Sequence, residues 1–499
     1  MPHPADNVSE QLLGAGHAAD VAVIDRTGQH TYAELRAATQ VLTQHLANWS
    51  LPAGSRVGLL SRNSLFWVAS YLAILRAGHV AVPFATVLTA EDVDHKAAFV
   101  GCEAFLFDTG LARTFGPLME TATHVADESA MVAPVVPNGA GELGAVAVDP
   151  DDDAVLMFTS GTTSAPRAVR VSHRNIRANT DSIVSYLNLT PDDRMLVVLP
   201  LSYCYGASLL HTHLSVGASV AICDTFAFPE TVIEQIQRDR CTGIAGVPST
   251  YQLLLRASTF ESTPLPTLQI MQQAGGRLPQ PQMDRVAAAQ PQAQLFVQYG
   301  ATEATARLSY LPPDLLHERR GSIGRGIPGV ELTVVDPDGR PVPPGVVGEV
   351  FARGDNITQG YWNDPAGSAA KFVDGGLRTG DLARADDDGY LTIVDRQADF
   401  IKSWGIRVSS HEIEDAVVAL PGVASAAAVG RPDEDAGESI VLFYAAAPDS
   451  DVTQEEVLTH CRATLAKHLV PHEVRRLPDL PLNQNGKVLK SELKVLATT

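Results

Sequence analysis

Positive charge is scarce in this chain. Its 499 residues include 37 Lys and Arg against 57 Asp and Glu, for a net charge of −20. Nucleic-acid binding needs a basic face, so this balance excludes a general nucleic-acid partner. A polyphosphate would have to be held by a local nest of N–H groups and cations, against the field of the whole molecule. Cysteine is sparse as well. Cys102, Cys204, Cys223, Cys241 and Cys461 are scattered without paired spacing, which excludes a zinc motif and fits a reduced, cytoplasmic protein. Long hydrophobic runs are missing. The longest, Val68 to Leu75, stops at Arg76 and is too short to cross a bilayer, so no membrane partner is expected. The opening residues lack the charged and apolar regions of a secretory signal. Aromatics amount to 6% and apolar residues to 45%, so the core should be aliphatic. No Gly-x-Ser-x-Gly elbow occurs, which argues against a serine hydrolase.

What is present is an α/β rhythm. Val57 to Leu60 and Val80 to Pro83 read as strands, with a helix from Leu65 to Leu75 between them. Further strands are expected at 154–159, 195–200, 219–224, 243–247, 268–273 and 294–298, in apolar runs typical of parallel sheets covered on both faces. From about 324 to 395 the texture turns β-rich, with many Gly and Pro. Beyond Asp395 a small unit begins again. Helices are expected near 410–420, 453–465 and from 488, and strands near 423–429 and 439–446. The boundary falls at 395–398, giving domains 1–395 and 396–499.

Several motifs carry chemistry. Phe158-Thr159-Ser160-Gly161-Thr162-Thr163-Ser164-Ala165-Pro166-Arg167 follows an apolar strand. Its hydroxyls and N–H groups suit an anion, with Arg167 adding charge, although such a loop alone serves equally as a polar turn. Tyr299-Gly300-Ala301-Thr302-Glu303 follows another apolar strand. A tyrosine face can stack on a base, a threonine can contact phosphate, and a glutamate can hold Mg2+. In Arg378-Thr379-Gly380-Asp381 the aspartate can accept both hydroxyls of a ribose. Asp395-Arg396 follows, and near the end Asn485-Gly486-Lys487 projects a lysine from a turn before a helix.

This ordered series resembles the adenylate-forming superfamily of acyl- and aryl-CoA synthetases, amino-acid-activating domains and luciferases. The likeness runs from Thr31-Tyr32-Ala33-Glu34-Leu35 to Lys487. It implies a large N-terminal domain of parallel-type sheets flanked by helices, a β-rich subdomain, and a small mobile α+β C-terminal lid domain. It implies ATP, Mg2+ and, less directly, coenzyme A as ligands. By resemblance Thr159 to Arg167 is the phosphate loop, Gly275, Gly276 and Tyr299 line the adenine pocket, and Thr302 and Glu303 face phosphates and metal. Asp381 and Arg396 hold the ribose. Lys487 bridges the acid and the ribose–phosphate region, and the segment Lys402 to Arg407, with Gly405 inside it, faces the pantetheine arm.

The chain also departs from the family pattern. Ser164 and Ala168 stand where glycine is usual, Arg167 where lysine is, and Ala398 where the lid hinge has Asp or Lys. An amino acid is an improbable substrate, since no Asp lies near 203–205 to grip an α-amino group. Candidate pocket residues are Tyr203, Tyr205, Ser208, Val247, Gln298 and Arg307. The two tyrosines suggest a flat or aromatic acid. Arg307 either meets a second carboxylate or faces solvent or a nearby acid. Gly324-Arg325-Gly326-Ile327-Pro328-Gly329 mimics a dinucleotide motif, but β structure is expected after it. His211 and His213 read as packing residues in a helix, and Arg319-Arg320 as a solvated pair or a coenzyme A contact. The expected activity is formation of an acyl-adenylate from a small carboxylic acid, then transfer to coenzyme A. The rivals are transfer to an amine or a separate carrier protein, activation of nitrite, and an inactive nucleotide-binding scaffold. The oligomeric state stays open.

Overall fold

A computed structural model of the chain describes residues 2–132, 144–159, 166–223, 226, 228–397, 399–447, 450–483 and 486–499. Two large sheets form the N-terminal part. The first has six strands in the order His124–Asp127, Ala104–Phe107, Arg56–Leu60, Val80–Pro83, Asp153–Phe158 and Ala168–Ser172. All its pairs are parallel except the last, a hairpin in which Thr159 N–H donates to the Arg167 carbonyl oxygen at 3.1 Å. The second sheet has nine strands. Its parallel centre runs Gln294–Tyr299, Ile270–Gln273, Gly243–Gly246, Arg194–Val197, Ser219–Ile222 and Val21–Asp25.

Between these sheets lie two helices with no exposed face. Phe66 to Leu75 of the helix Leu65–Arg76 are all buried, as are Cys204 to Leu214 of the helix Cys204–Ser215. A helix this rich in apolar residues gains stability only where both sides are covered. Its core neighbours include Leu59 and Met157 from one sheet and Val23 and Val197 from the other. His211 and His213 belong to the second helix. Burial holds their imidazoles well below the usual range, at about 3 and about 4, and His211 Nε2 lies 2.9 Å from the Tyr71 hydroxyl. They are packing residues, as the sequence suggests.

The third sheet is antiparallel and spans Glu331–Val335, Gly348–Arg353, Gly376–Ala385, Phe372–Val373 and Leu391–Arg396. Gly324 to Gly329 leads into it through the short strand Arg325–Gly326, with no helix following, so the dinucleotide reading fails on structure too. Arg319 pairs with Asp386 and Asp388, and Arg320 with Asp284 at 3.3 Å.

The fourth sheet starts with Ile401–Ser403 and centres on the long hairpin Val423–Asp433 and Gly437–Ala446. Asp395, fully buried, ties it to the third. Its Oδ2 accepts from Ser410 N–H at 2.7 Å and Ser410 Oγ at 2.8 Å, capping the helix Ser410–Val418 from outside that helix. Lys490 Nζ donates to Ser410 Oγ at 2.6 Å and pairs with Glu414 at 2.8 Å. Among the described residues no helix is long and apolar enough to cross a membrane, and none of the five cysteines is in a disulfide.

Breaking a shielded ion pair from one side leaves the other charge uncompensated. Lys490→Met should therefore lower stability by about 3 kcal/mol in urea denaturation, with Glu414 stranded beside Ser410.

Candidate active site

Open α/β sheets bind ligands at the carboxyl ends of their parallel strands, where helix N-termini and loop N–H groups face outward. Here four adjoining strands of the nine-stranded sheet end on candidate residues. Tyr203, Tyr205 and Ser208 come after Arg194–Val197, Val247 directly after Gly243–Gly246, and Gly275 and Gly276 after Ile270–Gln273. Gly300, Thr302 and Glu303 come after Gln294–Tyr299.

Two of these glycines are needed for shape. Gly275 has a φ of +84°, and a Cβ there would meet Val247 Cγ1 at 2.8 Å. At Gly300 a Cβ would lie 1.8 Å from the Ala306 carbonyl oxygen. The chain doubles back tightly at that point, through Thr305 at φ +64°, and so brings Glu303 and Arg307 to the same end of the sheet.

Glu303 is held from a distant segment. The Tyr361 hydroxyl donates to Glu303 Oε1 at 2.8 Å, and Thr358 N–H donates to its carbonyl oxygen at 3.0 Å. Burial, then the Glu303 charge, pushes the Tyr361 phenol far above its usual value, so it remains a donor. The Arg167 guanidinium sits 4.8 Å from the Tyr361 ring centroid and 3.7 Å from Asp364. Tyr361 thus links the cation at the exit of the Ser/Thr/Gly loop to Glu303. Sequence reasoning missed Tyr361, Asp364 and the thiol of Cys204, which lies 3.4 Å from Thr302 Oγ1. Tyr361 is 58 residues from Glu303, and no local motif marks the pair.

Asp381 and Arg396 face each other across adjacent strands of the third sheet. Arg396 Nε donates to Asp381 Oδ1 at 3.0 Å, and the Tyr299 hydroxyl donates to Oδ2 at 2.6 Å. Burial and the Asp381 charge push the Tyr299 phenol well up, which keeps that proton on the tyrosine. The Asp381 side chain is only 9% exposed while that of Arg396 is 61% exposed, so the aspartate is the fixed member.

Lys487 arrives from the C-terminal part. Its turn is closed by Gly486 N–H to the Asn483 carbonyl oxygen at 2.9 Å, and Lys487 N–H donates to Asn483 Oδ1 at 3.0 Å. Gly486 lies so close to the Val247 turn that a Cβ would meet Ser249 Oγ, and Lys487 Cε comes within 3.9 Å of a Cβ placed on Gly275. Burial, then the charge of Arg396, lowers the Lys487 ammonium below its usual value, while Cys204, Asp381 and Glu303 act the other way.

Gln298 and Arg307 are 3% and 1% exposed, so the reading of Arg307 as a solvent-facing residue is wrong. The doubling back of the chain after Gly300 carries it inward. Its guanidinium stacks 3.9 Å over the Tyr205 ring, which removes that face from any ligand. Ser208 Oγ donates to the Tyr205 carbonyl oxygen of its own helix at 2.7 Å. Ser160, Gly161, Thr162, Thr163, Ser164 and Ala398 lie outside the described residues. Lys402 and Gly405 are on the hairpin of Ile401–Ser403 with Ile406–Val408, both exposed, where Lys402 N–H donates to Glu438 Oε2 at 2.6 Å.

This geometry agrees with known proteins. The AMP-binding enzyme family matches residues 12–362, and the AMP-binding enzyme C-terminal domain matches residues 412–487. The chain belongs to the AMP-binding enzyme family. It is therefore an adenylate-forming enzyme of the superfamily that its ordered motifs resemble. A feruloyl-CoA synthase from Amycolatopsis sp is 31% identical over 475 residues, 93% of each chain. The ATP-bound MatB of Rhodopseudomonas palustris superposes with a TM-score of 0.89 at 27% identity, covering 99% of both chains. The amide bond synthetase McbA from Marinactinospora thermotolerans does so at 0.89 and 29%, covering 99% of this chain and 100% of that one.

Gly300→Ala sets a methyl against a carbonyl oxygen that cannot move without breaking the turn. It should cost at least about 2 kcal/mol of stability in chemical denaturation. It should also lower ATP affinity in calorimetric titration, because Glu303 moves with the turn.

Proposed function

We propose that this enzyme is an ATP-dependent acid–CoA ligase. The observation that carries the reading is the meeting of Lys487, Glu303 and Asp381 with Arg396. The Lys487 ammonium lies within electrostatic reach of Arg396, Asp381 and Glu303, its Cε is close to the glycine turn at Gly275, and Arg396 and Asp381 are paired across adjacent strands. The feruloyl-CoA synthase likeness over 93% of the chain supports coenzyme A as acceptor.

A carboxylate is a poor electrophile, and a thiol does not displace its oxygen. The chemistry runs through a mixed anhydride. A carboxylate oxygen attacks the α-phosphorus of ATP, the bond from that phosphorus to the bridging oxygen breaks, and pyrophosphate leaves with the electron pair. The coenzyme A thiolate, its proton released to solvent, then attacks the acyl carbon and expels AMP. No enzyme nucleophile is needed, so positioning and charge neutralisation carry the catalysis. In this reading the Thr159–Arg167 loop and Thr302 take the phosphates, and Gly275, Gly276 and Tyr299 take adenine. Asp381, fixed by Tyr299 and Arg396, accepts the ribose hydroxyls. Lys487 places its ammonium between the incoming carboxylate and the α-phosphate.

Glu303 is a fit for Mg2+. Among the described residues no group of three or more His, Cys, Asp or Glu gathers around a point, so the protein supplies one carboxylate rather than a cage. That suits a small hard cation which takes its other ligands from phosphates and water. When bound, Mg2+ neutralises charge on the polyphosphate; Tyr361 orients the Glu303 carboxylate toward it.

A second reading keeps the adenylate and changes the acceptor to an amine. Its support is the amide bond synthetase likeness, equal in TM-score to that of MatB. Pyrophosphate release from Mg-ATP over a panel of acids, with and without coenzyme A, separates the two. Acid-dependent release with a thioester formed on adding coenzyme A is expected. Release that ignores coenzyme A but yields an amide with an added amine favours the second reading.

Lys487→Ala should cut adenylation about 100- to 1000-fold in pyrophosphate exchange, as loss of one charge-stabilising donor does. The working form of Lys487 is the protonated one, and the folded enzyme lowers its pKa below 10.5. The alkaline limb of kcat/KM for ATP, which reports the free enzyme, should thus fall below the ordinary lysine range. That of kcat should lie higher, because bound phosphates favour the ammonium. Tyr361→Phe should raise the Mg2+ concentration needed for half-maximal rate about tenfold, the cost of losing a residue that orients a metal ligand.

A further inference from the structure

Arg307 is buried without a counter-charge. Among the described residues no carboxylate pairs with it, and its side-chain hydrogen bond runs from Nε to Gln298 Oε1 at 2.8 Å. Its Nη2 makes no hydrogen bond of ordinary geometry, although the Tyr186 hydroxyl lies near the guanidinium. The surrounding network has used its acceptors. Gln298 Nε2 donates to the Tyr186 hydroxyl at 2.8 Å and to Gln272 Oε1 at 3.2 Å. The Tyr205 and Tyr251 hydroxyls both donate to the Gln272 carbonyl oxygen, at 3.1 and 2.9 Å. What remains is a second unpartnered donor, Gln272 Nε2, on a residue 1% exposed. Two orphan donors therefore stand one amide side chain apart, and one of them belongs to a cation.

A buried charge without a partner is costly, and an orphan buried donor adds to the cost. The surroundings nonetheless hold Arg307 in place. Its carbonyl oxygen accepts from Asn179 Nδ2 at 3.0 Å and Asn356 Nδ2 at 2.8 Å, and its guanidinium rests on Tyr205. Three of these groups lie on the strands and the helix whose ends build the candidate site: Gln272 in Ile270–Gln273, Gln298 in Gln294–Tyr299 and Tyr205 in Cys204–Ser215.

We propose that the acid activated by this enzyme is a dicarboxylic acid, whose second carboxylate is received by Arg307 Nη2 and Gln272 Nε2. The inference rests on the ligase reading and names the substrate class of that same site. One carboxylate meets Lys487 and is adenylated. The other supplies the missing negative charge and both missing acceptors. A neutral acceptor such as an ester or ketone satisfies the donors but leaves the charge uncompensated.

The test is pyrophosphate exchange with succinate, glutarate, adipate, isophthalate and terephthalate, each against its monomethyl ester, with benzoate and butyrate as monocarboxylic probes. In the wild-type enzyme at least one diacid should exceed its own ester by about 100-fold or more in kcat/KM, the scale of discrimination when a site built for a polar group is left unpaired. In Arg307→Met that ratio should collapse to about 10-fold or less, and Arg307→Lys should recover part of it. The wild-type ratio stands as a test even if the variants do not fold. An enzyme that uses esters or monocarboxylic acids as well as diacids overturns the inference and leaves the ligase reading intact. An enzyme that binds ATP but exchanges pyrophosphate with no acid of either kind overturns both.

Discussion

Two anions have to meet for this chemistry to happen, on a chain whose net charge is −20. Everything at the site answers that electrostatic constraint. Net charge repels a polyphosphate at long range, but the interaction within a few ångströms is set by local groups, where water is excluded and screening is weak. The molecule places three cations there. Arg167, Arg396 and Lys487 lie at separate edges of the cluster, each with a carboxylate or an aromatic face nearby to hold it. The carboxylates present, Glu303 and Asp381, are themselves restrained by tyrosine hydroxyls that stay protonated. Restraint of this kind means that little rearrangement is needed when the reactants arrive.

Rigid placement of these groups comes from the layers beneath. The two buried helices between the large sheets pack against both of them, and the carboxyl ends of four adjoining strands of the nine-stranded sheet form the rim of the site. The helix Cys204–Ser215 begins at that rim, which puts Tyr203, Cys204 and Tyr205 there by construction. The third sheet adds Asp381 and Arg396 as direct cross-strand neighbours. Asp395, one residue before Arg396, caps the first helix of the C-terminal part and is linked through Ser410 to Lys490. The segment that carries Lys487 is therefore fastened close to the point where the chain leaves the third sheet.

The central strands, the apolar-rich helices and the order of motifs were legible in the sequence. The expected strand at 294–298 is Gln294–Tyr299, and the expected helix at 410–420 is Ser410–Val418. Local periodicity and turn chemistry suffice for such elements, because the pattern of burial is written over a few consecutive residues. The resemblance to adenylate-forming enzymes was legible for a different reason. Each motif is weak, but their succession over nearly the whole chain is specific, and the family match over residues 12–362 and 412–487 agrees with it.

What the sequence determined by itself is the class of chemistry: which residues bear hydroxyls, charges and glycine freedom at the ends of apolar runs. Only the tertiary structure decided how those residues are held. The Tyr361 bond to Glu303 spans 58 residues, and that of Tyr299 to Asp381 spans 82. Nothing local encodes such pairs, because contact across sheets depends on how whole layers stack. Arg307 shows the difference most plainly. As a letter in the sequence, an arginine four residues after a glutamate suits solvent as well as a pocket. The reversal at Gly300 and Thr305 turns it inward, onto Tyr205 and Gln298. A backbone contact too close for any Cβ thereby makes a surface-compatible residue into a buried cation.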